Sequence, residues 1–175
     1  MGLGVIERFD CLQWVRWVMA ERAPDLPIYL NGVSMGATTV LMASGLDLPK
    51  NVHGIVTDCG YTSPDEIGRH ISNDNLHLPY RLRRRILAWL YEQKNQVKGF
   101  DYSTLDALGT NVTPVLFIHG THDQFVPVDM TYQNYMACTA PKRLLIVPGA
   151  GHGLSCLVEP EQYQKALRAF WADFD

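Results

Sequence analysis

The stretch Ile28-Tyr29-Leu30-Asn31-Gly32-Val33-Ser34-Met35-Gly36-Ala37 sets a GxSxG pentapeptide between a short apolar run and a run of helix formers. A serine held in a sharp turn between strand and helix presents its hydroxyl for attack on a carbonyl carbon. Gly32 and Gly36 stand two positions to either side, where the absence of a Cβ is expected to let strand and helix backbones approach. The turn also aims the backbone N–H of Met35 at the oxygen of a tetrahedral intermediate, beside a helix N-terminus whose dipole favours that charge. Three fixed positions recur by chance in many chains, so context decides. Strand-like Ile28 to Asn31 precedes the motif, and small Ala37, Thr38 and Thr39 follow it, as close packing of a helix on a sheet requires.

A serine hydroxyl is a weak nucleophile at neutral pH. It needs a base within hydrogen-bond reach, with a carboxylate behind that base to fix the imidazole tautomer. Among six histidines His152 is the best placed, in the flexible loop Pro148-Gly149-Ala150-Gly151-His152-Gly153 directly after an apolar run. His53 opens a strand, His70 and His77 belong to a long connection, and His119 ends a strand and is expected to structure the loop that follows. His119 and His122 are spaced i, i+3 without a clear third ligand, a pattern more often structural, so no metal site is assigned. Asp123, in His119-Gly120-Thr121-His122-Asp123, is the preferred acid. Asp58, at the end of another strand, remains the alternative acid, and Asp129 reads as a helix cap.

Residues this far apart meet only if a regular framework carries them to one place. Leu12, Val15, Val18 and Met19 fall on one side of a helix from about Asp10 to Ala20, with Asp10 as N-cap. Besides the run into Ser34, Val52 to Asp58, Val115 to Gly120 and Arg143 to Pro148 read as buried strands. An amphipathic helix from Pro160 lines up Tyr163, Leu167, Phe170 and Phe174. Nearly continuous apolar strands alternating with helices predict an α/β chain, a parallel sheet flanked by helices and built from right-handed crossovers. The connection from about 61 to 112 is longer than a simple crossover and is expected to form a helical cap insertion. Within it Leu82, Ile86 and Leu90 recur at i, i+4 and i+8, which predicts an inward apolar stripe with Arg81, Arg83, Arg84 and Arg85 on the solvated faces; an anionic-ligand or membrane patch is the alternative.

The chain has 175 residues, 47% hydrophobic and 19% charged, enough for one domain with a sizeable core. A net charge of −3 argues against a nucleic-acid surface. No apolar run approaches the roughly 18 residues that span a bilayer, and the first ten residues lack a basic start with an apolar stretch and cleavage site. Cys11, Cys59, Cys138 and Cys156 are widely spaced, which predicts four reduced, buried thiols and a cytoplasmic setting.

Three stretches carry a family resemblance: Gly32-Val33-Ser34-Met35-Gly36-Ala37, Pro114 to Asp123 followed by Val126-Pro127, and Val147 to Gly153. With them the chain resembles the α/β-hydrolase superfamily, and within it the small bacterial serine hydrolases similar to serine aminopeptidases and prolyl oligopeptidases. The resemblance implies Ser34 as nucleophile, Asp123 as orienting acid and His152 as general base. Asn31 stands where many relatives have histidine before the elbow glycine. Such enzymes have several strands and a His-Gly-type oxyanion loop ahead of the elbow, where this chain has one helix. The resemblance therefore implies a domain over 1–175 that is N-terminally truncated, with the second oxyanion donor upstream.

The chemistry expected of this set is hydrolysis of an ester, thioester or amide through an acyl-Ser34 intermediate, carboxylesterase-like, with a small-molecule or peptide substrate and no metal or organic cofactor. A serine peptidase or acyltransferase of the same fold is the alternative, because the catalytic set does not choose the acyl group. A non-catalytic interaction module, or an inactive fragment, is the reading from another class. An exposed sheet edge beside Ile28 to Asn31 is expected to favour self-association.

Overall fold

The computed structural model describes residues 2–22, 24–73, 80–100 and 102–175. Four strands, β1 (Ile28–Val33), β2 (Val52–Asp58), β3 (Val115–Gly120) and β4 (Lys142–Val147), pair in that order, all parallel. The register aligns Val33 with Asp58, Asp58 with Ile118, and Gly120 with Val147. The loops that follow Val33, Asp58, Gly120 and Val147 therefore all leave from one edge of the sheet, which is what collects the candidate residues.

Side-chain alternation gives the central strands β2 and β3 two buried faces, while the edge strands β1 and β4 are partly exposed. On one face Leu30, Ile55, Val115 and Phe117 pack with Val15 of α1 (Glu7–Glu21) and with Val40 and Leu41 of α2 (Met35–Ala43). Cys138, which caps the C-terminus of α6 (Val128–Ala137), closes the same cluster. On the other face Val56, Leu116, Ile118 and Val147 pack under Tyr163 and Phe170 of the last helix, which runs from Pro160 to Phe174 as its periodicity predicts. Phe117 and Phe170 are fully buried. Burial of this kind is worth about 1.5–3 kcal/mol per large apolar side chain and holds both helical layers on the sheet.

Helix α1 begins a turn earlier than the apolar periodicity indicates. The Glu7 carboxylate accepts the backbone N–H groups of Gly2 (2.6 Å) and Gly4 (3.0 Å), which anchors the start of the helix and leaves Asp10 inside its first turn rather than at the cap.

Between β2 and β3 come α3 (Pro64–Asn73), α4 (Tyr80–Asn95) and α5 (Thr104–Leu108). Leu108 of α5 is fully buried in the core cluster that holds Leu30 and Phe117. In α3, Ile67 packs with Val126 and Met130, beside the loop after β3. Helix α4 corrects the expected facing. Leu82, Ile86 and Leu90 are about half exposed, whereas Arg83 and Tyr91 are buried. The Tyr91 ring meets Phe100 at a tilt, 5.8 Å between centroids, and its hydroxyl donates to the Gly2 carbonyl (2.8 Å), so these contacts, rather than the leucine stripe, set the inward face.

The thiols also depart from expectation. Cys59 and Cys138 are buried, Cys11 is half-buried and Cys156 is exposed, and all four are free. Among the described residues no helix is long and apolar enough to cross a membrane. The short helix α7 (Ser155–Val158) follows the loop after β4 and leads into α8 (Pro160–Phe174).

Candidate active site

Ser34 lies between β1 and α2 at φ +54°, ψ −118°, a conformation costly for any L-residue other than glycine and of the kind stored at functional turns. Two hydrogen bonds maintain it: the Ser34 N–H donates to the Asp58 carbonyl (2.9 Å), and the Ser34 carbonyl accepts the Thr38 N–H (3.0 Å). The steric demand falls on Gly32. A Cβ there would lie 2.3 Å from the carbonyl carbon and oxygen of Gly36, whereas a Cβ at Gly36 would meet open space. The expectation that both glycines relieve a Cβ clash is corrected to one, because the strand backbone presses on the Gly36 peptide and not on its side-chain position. Met35 is the first residue of α2, so its N–H belongs to the group that has no acceptor within the helix.

The loop after β3 carries Asp123 and the loop after β4 carries His152. The structure brings both to Ser34. His152 Nε2 lies 2.9 Å from Ser34 Oγ, and His152 Nδ1 lies 2.8 Å from Asp123 Oδ2. A nitrogen facing a carboxylate must hold the proton, so Nδ1–H donates to Asp123, and the bare Nε2 accepts from the serine hydroxyl. The Asp123 carboxylate is fully buried while His152 keeps 30% of its side chain exposed. Burial of that charge is met by four donors. Oδ1 accepts from the N–H groups of Phe125 and Val126 (2.9 Å each), and Oδ2 accepts from His152 and from His119 Nε2 (3.1 Å).

His119 is fully buried at the end of β3. Its Nε2–H points at Asp123 Oδ2 and at the Val126 carbonyl (3.0 Å), and its Nδ1 accepts from the Thr131 hydroxyl (2.6 Å). Burial holds its pKa below the ordinary histidine value, despite the nearby carboxylates, so the ring is a neutral brace for the Asp123 loop. This agrees with the structuring role expected from sequence. The direct bond to Asp123 was not anticipated; its only sequence signal is the four-residue spacing after a strand end.

Asp58 is held differently. Its carboxylate, 2% exposed, accepts from Ser155 Oγ (2.9 Å) at the start of α7. Burial pushes this carboxyl above the usual aspartate range, more than the Ser155 hydrogen bond lowers it. The neighbouring Cys59 is fully buried and its thiol is pushed up to about 12 by the same desolvation.

The two loops are joined directly. The Ala150 carbonyl occupies the place where a Gly120 side chain would begin, 2.2 Å from an ideal Cβ, and accepts the His122 N–H (2.9 Å). Gly120 thus permits the close approach of the two loops. Among the other histidines, His122 Nδ1 pairs with Thr121 Oγ1 (3.0 Å), His70 Nε2 faces the Gln124 carbonyl (3.4 Å), and His77 lies outside the described residues. Cys59, Asp123 and His152 bring ligand-type atoms within 4.8 Å of one another, the one such group among the described residues. Two of its members are already hydrogen-bonded to each other, and its thiol is held protonated by burial.

The folds that share this arrangement are the α/β-hydrolases. The Pyrococcus furiosus esterase Pf2001 superposes with a TM-score of 0.71 over 98% of this chain and 63% of its own, at 20% identity. The acylaminoacyl peptidase of Pyrococcus horikoshii does so at 0.66 over 98% of this chain and 28% of its own, at 15% identity. The prolyl oligopeptidase family matches residues 3–174, and the chain belongs to it. An uncharacterized protein of Bacillus subtilis, YqkD, is 28% identical over 153 residues, covering 82% of this chain and 47% of that protein. The chain spans about half the length of the curated relatives it matches. Family and fold agree on an α/β-hydrolase chain.

Proposed function

We propose that the chain hydrolyses an ester, thioester or amide through an acyl-Ser34 intermediate, with carboxylesterase-like preference. The observation that carries this reading is the continuous relay from Ser34 Oγ through His152 to Asp123, at 2.9 and 2.8 Å. In the first half-reaction His152 Nε2 takes the serine proton as Oγ bonds to the acyl carbon, and then gives that proton to the leaving group. Asp123 holds Nδ1–H and stabilises the imidazolium that forms. In this reading the Met35 N–H, at the first position of α2, donates to the oxyanion. In the second half-reaction water repeats the sequence and releases the acid.

Val33, Phe125 and Leu154 stay exposed next to these groups, and Phe125 meets the His152 ring edge-on at 5.0 Å between centroids. Apolar side chains left in water beside a nucleophile favour an apolar acyl group. The family match favours a peptidase as the second reading.

Labelling with a fluorophosphonate, followed by assays on p-nitrophenyl esters of graded length and on aminoacyl p-nitroanilides, tests both. Stoichiometric label lost in Ser34→Ala, with ester turnover exceeding anilide turnover, is the expected result. Faster anilide turnover selects the peptidase, and a folded protein inert to the probe selects a non-catalytic module.

A further inference from the structure

Helix α4 presents a face that neither the core nor the proposed chemistry uses. Leu82 (51%), Ile86 (51%), Trp89 (58%) and Leu90 (49%) are all exposed. At about 100° per residue these four fall within an arc of about 100° on one side of the helix. Arg81 and Arg85, both exposed, border that arc on one flank, and exposed Lys94 borders it on the other. Glu92, half-buried between the two arginines, is the one acid of α4. Four contiguous large apolar side chains in water are costly, and such patches mark binding surfaces.

Charge decides among the occupants. A two-fold contact with a second copy would set the exposed cations Arg81, Arg85 and Lys94 against their own copies, with half-buried Glu92 the one acid of α4 to meet them. Tryptophan and leucines flanked on both sides by cations are instead the composition of a helix lying in the plane of a bilayer surface. There the apolar arc enters the headgroup boundary and the flanking cations meet anionic lipid. We propose that α4 is a peripheral docking helix for an anionic lipid bilayer. The rest of the chain reaches this surface through α3, whose Asp65 carboxylate accepts from Arg84 Nε (3.1 Å) and whose Ile67 packs on the Val126 segment. The proposal does not depend on the hydrolase reading, and Ser34→Ala is expected to bind lipid like the parent chain.

Flotation of the 175-residue chain with phosphatidylcholine vesicles containing 0 or 30 mol% phosphatidylglycerol tests it, since flotation separates bound protein from self-associated protein. The chain is expected to float with the anionic vesicles only, and to be released at high salt. Arg81→Gln with Arg85→Gln is expected to lower partitioning by roughly 30-fold, from two cations each worth about 1 kcal/mol at the surface. Brominated acyl chains should quench tryptophan emission in the parent and not in Trp89→Phe. These positions are exposed, and an unchanged unfolding midpoint verifies the fold of each variant. Lys94→Gln, which alters a single cation on the other flank, gives an independent reduction. No flotation, equal flotation with both vesicle types, quenching retained in Trp89→Phe, or a dimer abolished by Ile86→Glu in place of lipid binding would each overturn the assignment.

Discussion

Ser155 Oγ donates to the buried Asp58 carboxylate at 2.9 Å, while the backbone carbonyl of the same aspartate accepts the Ser34 N–H at 2.9 Å. Asp58 thus fastens the nucleophile turn to the helix that follows the histidine loop, without a hydrogen bond to His152. Its carboxyl is pushed upward by burial, so between the unfolded value near 3.8 and the higher folded value the native state binds more protons than the unfolded state. Stability from this group is full below that window and is lost as pH rises through it. Asp58→Asn, which keeps an acceptor for Ser155, is therefore expected to raise the denaturation midpoint at pH 7 and to leave it unchanged near pH 3. A lower midpoint at pH 7 would contradict the sign.

The proposed acid is tested by comparison with the same substitution. Ser34→Ala, His152→Ala and Asp123→Asn are each expected to reduce ester turnover by on the order of 10⁴-fold, the last by allowing the wrong tautomer. Asp58→Asn should retain most turnover. A loss in Asp58→Asn matching that in Ser34→Ala, with Asp123→Asn nearly neutral, would transfer the role to Asp58.

Gly32→Ala and Gly36→Ala should behave oppositely. At Gly32 the new methyl meets backbone atoms at 2.3 Å that cannot yield without opening the elbow, a cost of about 3 kcal/mol or more. At Gly36 it meets open space on a helix, where alanine gains up to about 1 kcal/mol over glycine. Urea unfolding of the two variants separates them; equal destabilisation would remove the distinction.

Thiol accessibility gives a fourth outcome. At pH 8 iodoacetamide should modify exposed Cys156 first, while half-buried Cys11, whose pKa is raised by burial, should react more slowly. Cys59, pushed up to about 12, and buried Cys138 should react only on unfolding. Mass mapping of Cys59 labelled in the native protein would show that the site opens.

The free side of β1 predicts association. Among the described residues it pairs only with β2, and Asn31 and Val33 are exposed along it. Unpaired backbone groups of this kind template further strands, and a lysine on such an edge disfavours pairing. Sedimentation velocity should show oligomers of the 175-residue chain that Asn31→Lys dissociates. A monomer over tens of micromolar would refute the edge contact.

How far the sequence announces this structure depends on whether a residue's neighbours are local. The central strands are legible because a sheet covered on both faces turns them into nearly unbroken apolar runs, as in Val115 to Ile118. The elbow is legible because its serine, glycines and following small residues act within one turn. Asp58 ends β2 and Asp123 follows the end of β3 by three residues, and only the strand register and loop paths show which of them meets His152. The leucines of α4 announce an amphipathic helix, but periodicity does not say which side is covered. That was decided by Gly2 and Phe100, which are remote from Tyr91 in sequence or hidden from its pattern.

The clasp between Gly120 and Ala150 ties the Asp123 loop to the His152 loop. The loops bearing Asp123 and His152 share the Ala150 carbonyl bond, and a further bond runs from the Gly149 N–H to Thr121 Oγ1 at 3.0 Å. These two loops therefore hold each other directly, whereas the Ser34 turn is tied to the histidine side through Asp58 and Ser155. The 2.8 Å between His152 Nδ1 and Asp123 Oδ2 is thus set by bonds within one pair of loops, and the 2.9 Å between His152 Nε2 and Ser34 Oγ by a longer path through β2 and α7.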